Sequence, residues 1–169
     1  MAYGDYQLEI YLQGLSGVLP TMPMDYAGLE AKAQAAMPAS IWSYVAGGAG
    51  DERTQQVNRT AFDRWGLMPR MLNAHRDRDL SVDLFGLTLP SPLFMAPIGV
   101  LGICGQDGHG DLAGARAAAR TGVPMVLSTL TEDPLEDVAA EFGDTPGFFQ
   151  LYTPTDKDLA ASPAPRCRA

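Results

Sequence analysis

From residue 93 onward the chain repeats one pattern: a compact apolar run, a turn, then a helical stretch. The apolar runs are Leu93-Phe94-Met95-Ala96, Met125-Val126-Leu127 and Phe148-Phe149-Gln150-Leu151-Tyr152. The first two are continuously hydrophobic, as strands covered on both faces are. A glycine-rich loop and a helix over 111–121, closed by Gly122, follow the first run. Asp133-Pro134-x-Glu136 follows the second and Thr153-Pro154-x-Asp156 the third. Each gives a capping residue, a proline where a missing N–H is harmless, and an acid where the helix dipole favours it. Strands joined by helices run parallel, so the fold class is α/β. Three strands cannot cover their own flanks, and an open strand edge is a template for aggregation.

Before residue 90 the pattern is helical. Tyr6, Ile10, Tyr11 and Leu15 recur at helical spacing over 4–15, and Pro20 and Pro23 break that helix. A second helix is expected over 25–37 with Tyr26, Leu29, Ala33 and Ala36 on one face. A third starts at Pro38, carries Ile41, Trp42, Tyr44 and Val45, and stops at Gly47-Gly48, where glycine permits positive φ. A fourth runs from Asp51 to about Trp65 with Val57, Ala61 and Phe62 inward. Leu80, Val82 and Leu84, then Leu87 and Leu89 around Gly86, read as a two-stranded hairpin.

Acidic residues number 20 against 12 Lys plus Arg, a formal charge of −8. Such a surface repels phosphate backbones, so nucleic acid is not an expected partner. Cys104 and Cys167 make no disulfide framework, no metal-ligand spacing occurs, and no apolar run is long enough to span a membrane. The chain is expected to be soluble and cytoplasmic, with no membrane partner. His75 reads as a solvated loop residue, while the role of His109, in the loop after the first strand, is open.

Ser43-Tyr44-Val45-Ala46-Gly47-Gly48-Ala49-Gly50-Asp51-Glu52, followed by Asn58-x-x-Ala61-Phe62, resembles the N-terminal segment of the FMN-dependent 2-hydroxyacid oxidases and dehydrogenases. Met95-Ala96-Pro97-Ile98-Gly99, Leu127-Ser128-Thr129 and Phe148-Phe149-Gln150-Leu151-Tyr152 resemble that family's first three barrel strands, in order and spacing. The resemblance covers about 24–161, and Gly99 and the N-terminal extension make it most like the lactate 2-monooxygenase branch. It implies an N-terminal helical segment plus about the first three β/α units of a (β/α)₈ TIM barrel, incomplete. The implied organisation is a helical segment over 1–79, a hairpin covering the barrel base over 80–92, and the first part of the FMN-binding barrel over 93–161. Pro163 and Pro165 are foreign to the helix the family continues there. The stretch 162–169 is therefore either an aberrant end of a truncated chain or a disordered tail.

The resemblance assigns roles by position. Pro97, Ile98 and Gly99 pass their backbone against the flavin ring, and Gly99 leaves a methyl-sized space where many members carry alanine. Ser128 donates to the flavin, and Gln150, donor and acceptor at once, bonds the ring's edge. Tyr44 holds the carboxylate of a 2-hydroxy acid such as L-lactate, and Tyr152 faces its hydroxyl or carboxylate. From the residues alone Ser128 reads equally as a turn or cap, Gln150 as a satisfied buried amide, and Tyr44 as packing beside Trp42. The family's catalytic base, substrate-clamping arginines, flavin-side lysine and phosphate-binding loops belong to later strands, so no catalytic residue is assigned to this chain. The reaction implied is L-lactate plus oxygen to acetate, carbon dioxide and water, in a tetramer-like homo-oligomer. The alternatives are an L-lactate or glycolate oxidase or dehydrogenase that releases the keto acid, and a non-catalytic remnant or complementation fragment.

Overall fold

The computed structural model describes residues 5–72, 79–105 and 107–161; His75, Cys167 and the 162–169 tail lie outside the described residues. The chain divides into two compact units, 1–66 and 67–169.

The first unit is built from four helices: α1 (Asp5–Leu15), α2 (Tyr26–Ala36), α3 (Ala39–Ala46) and α4 (Arg53–Thr60), the last running into a 3₁₀ turn at Ala61–Arg64. Asp25 starts α2 as its sequence position implies, its carboxylate accepting from the Gly28 N–H at 2.8 Å. The glycine-rich turn after α3 is stitched by side chains. The Gln55 amide donates to the Ala46 carbonyl at 3.0 Å, and the Glu52 carboxylate accepts from the Gly48 N–H at 3.0 Å. Two expectations are corrected here. Gly47 sits at φ −70°, so it is Glu52 and Gly50, both at φ 57°, that take the left-handed turn, and α4 starts only after them. The apolar stripes of α1–α4 are not inward: no residue of these helices is buried, and Tyr26, Leu29, Val57 and Phe62 are all exposed. Periodicity shows which face a helix offers to a partner, and short helices with few mutual contacts provide none within their own unit.

The second unit opens with a hairpin, β1 (Val82–Leu84) against β2 (Leu87–Leu89), with Val82 opposite Leu89. Its two turn residues, Phe85 and Gly86, are both at positive φ, the conformation that matches strand twist. β3 (Met125–Leu127) and β4 (Gly147–Phe149) then pair in parallel, Leu127 opposite Phe149. The expected first barrel strand over 93–96 is shortened to a single parallel bridge between Met95 and Met125. Pro90, Pro92 and Pro97 flank it, and proline cannot donate to a ladder. The third strand is shorter than its apolar run for a different reason: its neighbour turns away after Leu127, taking the backbone partner with it.

Helices α5 (Gly110–Thr121), α6 (Leu135–Glu141) and α7 (Lys157–Ala161) follow the three strand positions in turn. Met125 and Leu127 pack with Ala115 and Ala118 of α5 and Val138 of α6, and Met95 and Phe149 join them from the neighbouring strands. Side chains alternate across a sheet. Phe94, Val126 and Phe148 therefore fall on the face turned away from the helices, where the Phe94 and Phe148 rings meet edge to face at 5.3 Å. The same parity carries Ser128 and Gln150 to that face.

Candidate functional site

The ends of the parallel strands bring three of the expected residues together. Gly99 lies in the loop after Met95, Ser128 directly after β3, and Gln150 directly after β4. A Cβ on Gly99 would stand 3.3 Å from Leu130 Cβ and Cδ1 and 3.6 Å from Ser128 Oγ. An alanine there would ask the Leu130 side chain to give by a few tenths of an ångström. Val100, a β-branched residue at φ 50°, follows it and is held by its N–H to the Leu130 carbonyl at 3.0 Å. Backbone strain of this kind, about 1–3 kcal/mol, survives where the surroundings fix it.

Ser128 is buried, its Oγ 3.4 Å from Gln150 Oε1 and accepting from the Leu130 N–H at 3.1 Å. The Gln150 N–H donates to the Leu127 carbonyl at 2.8 Å, which extends the β3–β4 ladder by one bond. Pro97 is half-buried and Ile98 exposed at the lip of the same loop. Tyr152 is 50% exposed, its backbone N–H bonded to Thr129 Oγ1 at 2.9 Å. Tyr44 belongs to the first unit, on α3, and is 68% exposed.

The residues fit a flavin ring. A backbone without a side chain at Gly99, a buried hydroxyl at Ser128 and the Gln150 carboxamide converge on one end of the sheet. A pyrimidine edge with carbonyl acceptors and an imide donor is matched by a carboxamide.

Sequence reasoning missed a polar cluster beside this site. Asp133 does not cap α6, whose start has no side-chain cap. Its carboxylate crosses instead to the preceding loop, taking the Leu112 N–H at the start of α5 at 3.3 Å and His109 Nδ1 at 2.6 Å. Asp133 is buried, whereas the His109 side chain is 59% exposed. The hydrogen bond to Asp133 and then that carboxylate's charge hold the imidazole above its ordinary value. Asp111, 1% exposed, is pushed up by burial, with Thr131 bonding its Oδ2 and Oδ1 unpartnered among the described residues. Thr131 Oγ1 stands 2.9 Å from both Asp111 Oδ2 and the Asp133 carbonyl, yet a hydroxyl has a single hydrogen. Thr131 Oγ1 accepts from the Asp133 N–H at 3.2 Å, and its one hydrogen is shared between Asp111 Oδ2 and the Asp133 carbonyl. A helix-starting Asp-Pro was the visible signal. The partner it chose was not legible, because it lies on another loop. Among the described residues no His, Cys, Asp and Glu group is placed to hold a metal, and no helix is long and apolar enough to cross a membrane.

Comparison with known proteins follows the same line. The family model described as FMN-dependent dehydrogenase matches residues 33–169. The L-lactate oxidase of Lysinibacillus sphaericus is 35% identical over 161 residues, 95% of this chain and 41% of that protein. An FMN-dependent alpha-hydroxy acid dehydrogenase of Penicillium citrinum is 36% identical over 95% of this chain and 40% of its own length. The chain thus spans about two fifths of the length of these curated relatives. Among solved structures, a lactate oxidase described from Pediococcus acidilactici matches with a TM-score of 0.78 at 32% identity, over 86% of this chain and 40% of that one. A soluble mutant of the membrane-associated (S)-mandelate dehydrogenase of Pseudomonas putida matches with a TM-score of 0.72 at 33% identity, over 82% of this chain and 39% of that one. The fold is that of an incomplete α/β barrel of the TIM type.

Proposed function

The chain belongs to the FMN-dependent dehydrogenase family, whose cofactor is FMN, and on that premise we propose that it is the N-terminal, flavin-facing part of a lactate 2-monooxygenase. The reaction is L-lactate plus oxygen to acetate, carbon dioxide and water. The observation that supports this reading is Gly99 in the loop at the strand end, bare of a side chain and bounded by Leu130 and Ser128. Bound FMN supplies acceptance of a hydride from the carbon bearing the substrate's hydroxyl. The chain's own residues bind and orient. The 97–99 backbone, the Ser128 hydroxyl and the Gln150 carboxamide would hold the ring. Tyr44 and Tyr152 provide neutral phenol donors for the substrate carboxylate and hydroxyl, orienting an anion without adding charge. Removing the hydroxyl proton needs a positioned base, and no residue of this chain is assigned that task. On this reading the segment supplies groups that bind and position.

A second reading rests on the relatives' names, L-lactate oxidase and L-lactate dehydrogenase: an enzyme of the same build that releases the keto acid. The two are separated by product analysis of the enzyme that contains this segment, supplied with L-lactate and oxygen. Acetate without accumulating pyruvate or peroxide is expected. Stoichiometric pyruvate and peroxide would replace the monooxygenase reading with the second one.

A further inference from the structure

The β3–β4 ladder ends where the two strands separate. Its last backbone bond runs from the Gln150 N–H to the Leu127 carbonyl. In a continuing parallel pair, the next residue but one on β3, Thr129, would donate its N–H to the Gln150 carbonyl and accept the Tyr152 N–H on its own carbonyl. The backbone is no longer there to do so: it has turned, with the Thr131 N–H bonded to the Ser128 carbonyl at 3.3 Å and the Leu130 N–H to Ser128 Oγ. The Thr129 side chain makes both missing bonds. Its Oγ1 donates to the Gln150 carbonyl and accepts from the Tyr152 N–H at 2.9 Å. One hydroxyl, donor and acceptor together, stands in for a peptide unit.

We propose that Thr129 is a positioning residue: its hydroxyl prolongs the parallel ladder past the point where β3 diverges, and so fixes the backbone that carries Gln150 and Tyr152. The loop holding Ser128 and Leu130 is free to curl toward Gly99 while the third strand keeps its register for two further residues. Two of the assigned ring and substrate residues, Gln150 and Tyr152, thus depend on a side chain that touches neither group. The consequence for ligand binding rests on the reading of Gln150 as a flavin-edge residue; the latch itself does not.

The test uses the full ¹⁵N-labelled chain and amide hydrogen exchange. Thr129→Val keeps the shape and removes both bonds. Exchange at the Tyr152 N–H is expected to quicken about five- to tenfold, the effect of one hydrogen bond. The Val126 N–H, bonded to the Met95 carbonyl at 3.0 Å, should be unchanged. Thr129→Ser retains the hydroxyl and should restore protection at Tyr152. Undiminished protection in Thr129→Val, or parallel loss at Val126, overturns the proposal, as does failure of Thr129→Ser to restore it. A flavin arm reads the consequence. FMN fluorescence titrations should show Thr129→Val weakening binding in wild type but adding nothing to Gln150→Leu, the non-additivity of residues acting through one another. If the wild-type chain leaves flavin fluorescence untouched, the flavin reading of Gln150 fails, while exchange at Tyr152 still decides the latch.

Discussion

Leu127→Ala is expected to lower the stability of the second unit by about 2–5 kcal/mol, the cost of emptying a packed leucine site. Leu127 is 3% exposed and lies in the one cluster where α5, α6 and the sheet meet, with Ala115, Ala118, Met125, Val138 and Phe142. That cluster is small and its members are on three elements, so little nearby is free to collapse into the gap. A domain's net stability is about 5–15 kcal/mol, and one such cavity removes a large share of it. The backbone carbonyl of residue 127 still receives the Gln150 N–H, which makes the loss one of packing. Urea unfolding measures it as a lower midpoint at unchanged slope. Leu151→Ala, at a 45% exposed position just beyond β4, should stay within about 0.5 kcal/mol of wild type. Equal effects at the two positions would mean that the strands do not pack as described.

The second large effect belongs to the polar cluster between the loops after the first two strands. Asp133→Ala leaves the Leu112 N–H at the start of α5 without its acceptor and strips His109 of its partner, at a cost of about 1–3 kcal/mol. Asp111→Asn in the same cluster should behave differently. Burial raises the Asp111 carboxyl, so the folded chain favours the protonated form. The sign follows from linkage. The native state binds the extra proton, so wild-type stability falls as pH rises from the ordinary carboxylate range through the raised value. Asparagine keeps a donor toward Thr131 and carries no charge to bury. Its unfolding midpoint should therefore sit near wild type in acid and gain on it as the buffer is brought to neutrality. An Asp111→Asn chain that loses ground as pH rises would show that the buried carboxylate is ionised and partnered.

Why α5 starts where it does illustrates how far the chain could be read in advance. The strand–helix alternation, the hairpin, the helix expected over 111–121 and the helix start after Asp133-Pro134 all follow from local chemistry, which the sequence displays directly. Local chemistry does not say which neighbour a group will choose. Asp133-Pro134 looks like a cap for the helix that follows, yet the carboxylate serves the start of the helix before it. Likewise the apolar stripes of α2 and α4 were legible as stripes, but exposure at Tyr26 and Val57 depends on what stands opposite. At the site, Gly99, Ser128 and Gln150 were legible through the family resemblance, which assigns them to the loops and strand at the barrel's first three units. Thr129 was not singled out, since a threonine after a strand has no local mark of a latch. Its role appears only once β4 is placed beside β3.

The most direct measurement is a titration of the chain with FMN and, separately, with riboflavin, read by quenching of flavin fluorescence. Every residue assigned to the cofactor, Pro97, Ile98, Gly99, Ser128 and Gln150, addresses the ring, and none is assigned to the phosphate. Equal, weak, saturable binding of the two flavins is therefore expected, with Gln150→Leu weakening both alike. No quenching by either flavin, or binding of FMN alone, would contradict a site built around the ring's edge.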